Sequence, residues 1–168
     1  MKVLAIDPGY GRCGMAIVER EASGKDILIH SDCIETSSTM EFTERLNVVA
    51  SACASLISQH APDSVAMEKL YFSNNQKTAM RVAEVRGAIL AVAGAAGIAV
   101  TEYTPGEIKS ATTGYGSADK KAVAQMVRML VKIDKVIRLD DEYDAIAIGI
   151  THLASARTHA ARVLRAER

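Results

Sequence analysis

Residues 4–14 read "LAIDPGYGRCG". A short apolar run ends in Asp7 and passes into a loop carrying Gly9, Gly11 and Gly14. A strand that delivers a carboxylate to its own tip, with few side chains behind it, suits two chemistries. The carboxylate can hold a metal for phosphodiester cleavage, or the glycines can wrap a nucleotide phosphate. The loop alone does not choose between them. The first chemistry requires further acids converging from elsewhere in the chain.

Working outward, Val3 to Ile6 reads as a buried strand, followed by strands over Cys13 to Glu19 and Asp26 to Cys33 about the turn "EASGKD". Their hairpin spacing predicts antiparallel neighbours. Ser37 and Ser38 are candidate N-caps for a helix reaching about Gln59, with Leu46, Val49, Ala50 and Cys53 on its apolar face. "SVAMEKLYF" predicts a fourth strand carrying Glu68, and "NNQKTAMRVAEVRGAILAVAGAAG" a helix stopped at Gly97. "IAVTEY" is a fifth strand. Short helices follow over Pro105 to Ala111 and Ala118 to Val131, with Ser117 as the expected cap of the second, and a last helix starts near Asp141. Three antiparallel strands, then helices alternating with strands, predict an α/β fold: one mixed five-stranded sheet flanked by helices.

A chain of 168 residues with 49% apolar and 24% charged residues fits one globular domain over residues 1–168, its last few residues a flexible basic tail. The most apolar run, Ala88 to Val100, is interrupted by Gly94 and Gly97 and is too short to cross a bilayer. An early Asp7 predicts no signal peptide. Cys13, Cys33 and Cys53 are odd in number and lack CxxC spacing, which points to a reduced, cytoplasmic protein without disulfides or zinc. The net charge is zero but unevenly spread. Residues 1–68 carry five basic and ten acidic side chains, and residues 69–138 carry eleven and five. A basic middle beside acidic ends fits a phosphate-binding surface next to metal-binding carboxylates, although solvated helix faces give the same pattern.

Asp7 ends the first strand, Glu68 lies near the end of the fourth, and Asp141 and Asp144 share one face of the last helix at i, i+3 spacing. Each acid has an ordinary reading: a turn former, an edge-strand acid, or charges at the positive end of a helix dipole. Together they form the set that paired magnesium ions need for phosphodiester hydrolysis. Asp144 leads into "AIAIGI", so it enters an apolar, buried helix where a carboxylate needs a partner. His30, His60 and His159 have no partner at ligand spacing. His152 lies about 12 Å along the helix from Asp144, which predicts a capped or solvated ring.

In this order, "IDPGYGRCG", "MEKLYFSNNQKTAMRVAEVRG", "YTPGEIKSATTGYGSADKK" and "DDEYDAIAIGITH" resemble the bacterial RuvC family of Holliday-junction resolvases, over nearly the whole chain. The resemblance implies a ribonuclease-H-like fold. It also implies a homodimer that acts in recombination and repair by nicking four-way DNA junctions symmetrically, leaving 5′-phosphate and 3′-hydroxyl ends. It assigns Asp7, Glu68, Asp141 and Asp144 as catalytic, metal-binding acids, with two Mg2+ per subunit and Mn2+ as a substitute. The Asp-x-x-Asp-Ala spacing selects Asp141 over Asp140. Lys109 and Lys120 match basic residues near the scissile strand. Tyr71 matches an aromatic that engages distorted bases, with Phe72 as the neighbouring alternative. Asn75, Lys77 and Arg81 are expected backbone contacts, and Arg86 is either another contact or a structural ion pair. The branch-migration proteins RuvA and RuvB are the implied partners. Cys13 stands where many relatives have threonine, and a net charge of zero is less basic than a DNA-binding enzyme leads one to expect.

Two rivals share parts of the pattern. An ATP-binding protein of the actin and sugar-kinase type also opens on an acidic, glycine-rich loop, but needs two such domains and a second phosphate loop. A related nuclease for other branched DNA or RNA–DNA hybrids would use the same acids.

Overall fold

The computed structural model describes residues 1–70 and 76–166, with the side chains of residues 76, 77 and 157 onward outside the description. Strands β1 (Lys2–Asp7), β2 (Arg12–Arg20) and β3 (Asp26–Glu35) form an antiparallel meander. Helix α1 (Phe42–His60) leads to β4 (Ser64–Glu68), and α2 (Gln76–Ala95) to β5 (Val100–Tyr103). Both later strands add in parallel, giving the order β3-β2-β1-β4-β5. Helices α3 (Pro105–Thr113), α4 (Lys120–Leu130) and α5 (Asp140–Ala166) complete the chain. The sheet is mixed and five-stranded, as the alternation of elements predicts.

Side chains alternate across the sheet, and this parity sorts the two faces. Leu4, Ile6, Cys13, Met15, Ile17, Val65 and Met67 pack with Val49, Cys53 and Leu56 of α1 and Val85, Ile89 and Ala93 of α2. Val3, Ala5, Ala16, Val18 and Ala66 meet α3, α4 and α5 on the opposite face. The residues on this second face are small, so α5 lies close to the sheet. A Cβ on Gly149 would stand 2.6 Å from Val18 Cγ2, and one on Gly14 would stand 1.9 Å from the Asp141 carbonyl oxygen. These two glycines are therefore required by close packing rather than by backbone conformation.

Several boundaries differ from the sequence expectation. The cap of α1 is Glu41, in a reciprocal box with Glu44, rather than Ser37 or Ser38. Ser37 is spent earlier, its hydroxyl bonding Thr39 in the preceding turn. Asp119, not Ser117, caps α4, its carboxylate accepting from the Ala122 amide at 2.8 Å. Strand β4 stops at Glu68, short of Lys69 and Leu70, which the expected strand included; the rest of that expected strand lies outside the described residues. The expected asparagine start of α2 lies outside the described residues, and the backbone at the C-terminus, expected as a flexible basic tail, continues as helix to Ala166. Gly97 ends α2 as expected, at φ +70°, with the Ile98 amide returning to the Ala93 carbonyl.

Candidate active site

Asp7 has the same parity as Val3 and Ala5, and Glu68 the same as Ala66, so both acids face α5. The parallel register pairs Ile6 with Met67, and one step further sets Asp7 beside Glu68 at neighbouring strand ends. Helix α5 brings Asp144 to the same point. The three acids, with Lys109, Lys120, Pro105, Ile108, Val123 and Ile148, line one cavity of about 280 Å³. The capping box of Thr104 and Glu107, with Pro105 in the first turn, fixes the start of α3 at its rim.

The electrostatics of the acids are those of like charges held together with little solvent. Burial, and then the charges of Glu68, Asp144 and Asp141, push the Asp7 carboxyl well above the usual carboxylate range. Glu68 is raised by burial and by Asp144, against the pull of Lys120, Arg86 and Lys109. Asp144 is raised chiefly by burial, although Lys120 opposes the shift. Lys120 donates to Asp140 Oδ2 at 2.8 Å and to Asp144 Oδ2 at 3.1 Å. Its own pKa rises above the ordinary lysine value as a result.

Asp141 sits just outside the cavity. Its Oδ2 is buried with no hydrogen bond, and Arg12 Nε stands 3.1 Å away as an ion pair out of hydrogen-bond alignment. Among the described residues, no three carboxylate, imidazole or thiol side chains close on one point as a ready-made ion cage. What is present is an all-oxygen set, mutually repelling and partly orphaned, which a hard divalent cation fits. The structure thus gathers Asp7, Glu68 and Asp144 about one cavity and leaves Asp141 at its edge.

The other expected site residues fall out differently. Lys109 and Lys120 both reach the acid cavity. Arg81 lines a different cavity, with Tyr10, Thr78, Met80 and Glu84, its guanidinium 3.9 Å from the Phe42 ring centre and 3.2 Å from Glu84. Tyr71, Phe72, Asn75 and the Lys77 side chain lie outside the described residues. Arg86 is a structural residue. Buried, it donates to the Glu68 carbonyl and to the Glu102 carboxylate, anchoring the end of β4 that carries Glu68.

His152 corrects the expectation of a capped or solvated ring. It is buried, with Nε2 2.9 Å from the Ser64 hydroxyl and Nδ1 3.0 Å from the Tyr103 hydroxyl, and so fastens α5 to β4 and β5. Cys13 is a packing residue on the α1/α2 face. Burial pushes its thiol up to about 12, so Cys13 stays a neutral, buried side chain behind the Asp7 loop. Sequence reasoning missed Arg12 as part of the site and left the part played by Asp140 open. Both stand within the matched motifs, but their ion pairs join residues far apart in the chain, which spacing does not signal.

Comparison with known proteins bears directly on this site. The family model described as crossover junction endodeoxyribonuclease RuvC matches residues 3–152. The crossover junction endodeoxyribonuclease RuvC of Syntrophomonas wolfei is 41% identical over 157 residues, covering 94% of this chain and 91% of that protein. The Thermus thermophilus RuvC structure superimposes with a TM-score of 0.86 at 33% identity, covering 95% of this chain and 97% of that one. T. thermophilus RuvC in complex with a Holliday junction substrate gives 0.88 at 32% identity, with 95% and 96% covered.

Proposed function

The chain belongs to the RuvC family of crossover junction endodeoxyribonucleases, and from that premise we propose that Asp7, Glu68, Asp144 and Asp141 are its catalytic acids. The protein is a Holliday-junction endonuclease of recombination and repair, with a ribonuclease-H-like fold. The actin and sugar-kinase reading therefore falls away. The observation carrying the assignment is the cavity in which three acids from β1, β4 and α5 meet two lysines from α3 and α4.

Nucleases of this family are metal-dependent. In our reading Asp7, at the centre of the cluster, with Glu68, Asp144 and the orphaned Asp141 oxygen, would hold two Mg2+, and Mn2+ would replace them. Bound there, the metal supplies an activated water and stabilises the leaving oxygen. The protein's own side chains do the remaining work. Lys109 and Lys120 bring ammonium groups to the cavity wall, where they bind the scissile phosphate and neutralise charge growing on it. The positive end of α3 faces the same anion. Ile108, Val123 and Ile148 form an apolar wall that limits water around the reacting phosphate.

The same reading includes a substrate and its geometry. Four-way junction DNA is engaged by a homodimer whose twofold axis presents two cavities to strands of like polarity, so that paired nicks leave 5′-phosphate and 3′-hydroxyl ends. Tyr71, with Phe72 as the alternative ring, stacks on a distorted base, while Asn75, Lys77 and Arg81 follow the backbone. Residues 1–168 act as one nuclease domain in a reducing cytoplasm, in keeping with its free thiols, and RuvA and RuvB are the branch-migration partners. Labelled four-way junction, linear duplex and RNA–DNA hybrid, each with and without Mg2+, test this directly. Selective, Mg2+-dependent cutting of the junction is expected, and equal cutting of all three overturns it.

A further inference from the structure

Charges alternate along the outer rim of the acid cavity. Asp141 Oδ2 lies 3.1 Å from Arg12 Nε, and Arg12 Nη2 lies 3.7 Å from Asp140 Oδ1. Asp140 Oδ2 lies 2.8 Å from Lys120 Nζ, which lies 3.1 Å from Asp144 Oδ2. Three elements contribute: Arg12 opens β2, Lys120 opens α4, and the three acids occupy the start of α5. Asp140 differs from its neighbours in place. Its side chain is half-exposed and does not line the cavity, whereas Lys120 and Asp144 do. Yet it makes the shorter of the two contacts to the Lys120 ammonium.

We propose that Asp140 is a positioning residue for Lys120, holding its ammonium at the cavity rim where the scissile phosphate arrives, with Arg12 bracing Asp140 from the other side. A lysine ends a flexible four-carbon stem and takes whichever anion is nearest. With Asp144 as its only partner, the ammonium sinks among the acids, where it competes for Asp144 and turns away from the phosphate. A second carboxylate outside the cavity keeps it at the rim. Two cations already engage Asp140, which separates it from the metal-binding acids it adjoins in sequence. Exposed pairs of this kind add little stability. Loss of Asp140 therefore shows in rate rather than in melting temperature.

The proposal rests on the assignment of Lys120 to the scissile phosphate, and its test separates the two. Zero-length carbodiimide cross-linking of the metal-free wild-type protein, read by peptide mass spectrometry, is expected to join Lys120 to Asp140. Absence of that link overturns the tether whatever Lys120 does in cleavage. In single-turnover junction cleavage, Asp140→Asn is expected to slow the maximal rate about tenfold through misplacement of the ammonium. Junction affinity and the Mg2+ midpoint for thermal stabilisation stay unchanged, and Asp140→Glu recovers most of the rate. On a Lys120→Met background the Asp140→Asn change costs nothing further. A loss that persists on that background, or a large rise in the Mg2+ midpoint, overturns the proposal, the second making Asp140 a metal ligand. Normal cutting by Lys120→Met alone defeats the assignment of Lys120 and leaves the cross-link to report the tether by itself.

Discussion

Asp7 sits among Glu68, Asp144 and Asp141 with little solvent to screen it, so its ionised form is a source of instability in the metal-free protein. A carboxyl raised in the folded state binds a proton that the unfolded chain has already released. Native stability consequently falls as pH rises from the ordinary carboxylate range through the raised value, a penalty complete once Asp7 is ionised. Asp7→Asn removes it. We expect this variant to melt about 2–4 °C higher without metal, for a gain near 1 kcal/mol, while cleaving junctions at least about a hundredfold more slowly. Thermal melts beside a cleavage assay check both signs; a lower melting temperature would contradict the electrostatic account. His152 titrates in the opposite sense. Burial lowers its pKa, so the unfolded chain takes up the proton first and stability is lost as pH falls below about 6.5. His152→Gln should therefore differ most from the wild type at pH 7.5 and least at pH 5.5 in urea melts. Asp7 and Glu68 were legible in the sequence because strand ends and period-two parity fix where they point. The partners of His152 were not, because Ser64 and Tyr103 reach it only through the tertiary fold.

Helix α5 is the element that completes the site, and its seat on the sheet is set by what is missing from the side chains beneath it. Gly14 leaves room for the Asp141 carbonyl, and Gly149 leaves room for Val18. Gly14→Ala forces the first turn of α5 outward, moving Asp141 and Asp144 away from Asp7 and Glu68. The expected cost is about 1–3 kcal/mol of stability by overpacking, with a larger proportional loss of cleavage, read from denaturant melts and single-turnover rates on the same preparation. Unchanged cleavage would mean that α5 does not set the site geometry. Of the three glycines in the opening stretch, Gly14 serves close approach by this helix, whereas a Cβ on Gly9 would meet the Arg12 carbonyl instead. Cap positions were less legible. Ser37 and Ser117 have good capping chemistry, but Glu41 and Asp119 stand at the residues where the backbone turns into the helix. Local propensity names the residue types that can cap, and tertiary packing decides which one does.

Across the whole molecule, the meander β3-β2-β1 and the parallel additions of β4 and β5 put the ends of β1 and β4 side by side at mid-sheet. Helices α3, α4 and α5 then close over that point from one face. Chain order thus brings acids 61 positions apart in sequence to one cavity, with two lysines added by the helices that follow. The mixed sheet and its antiparallel opening could be read from hydrophobic pattern and spacing, and the strand order could not. The rim of alternating charge could not, since ion pairs among Arg12, Asp140 and Lys120 exist only once β2, α4 and α5 have docked. On the proposed assignment of the acids, metal binding links this site to global stability. Mg2+ at a hundred times its dissociation constant should stabilise the fold by about 2.7 kcal/mol, with the effect shrinking as acid protonates the same carboxylates. The most direct test of the central claim is cleavage of a labelled four-way junction in Mg2+ by the wild-type protein and by Asp7→Asn, beside a linear duplex of the same sequence. Symmetric nicking of the junction by the wild type alone, with the duplex left intact, is expected; cutting by Asp7→Asn at the wild-type rate would contradict the assignment of Asp7 and of the cavity around it.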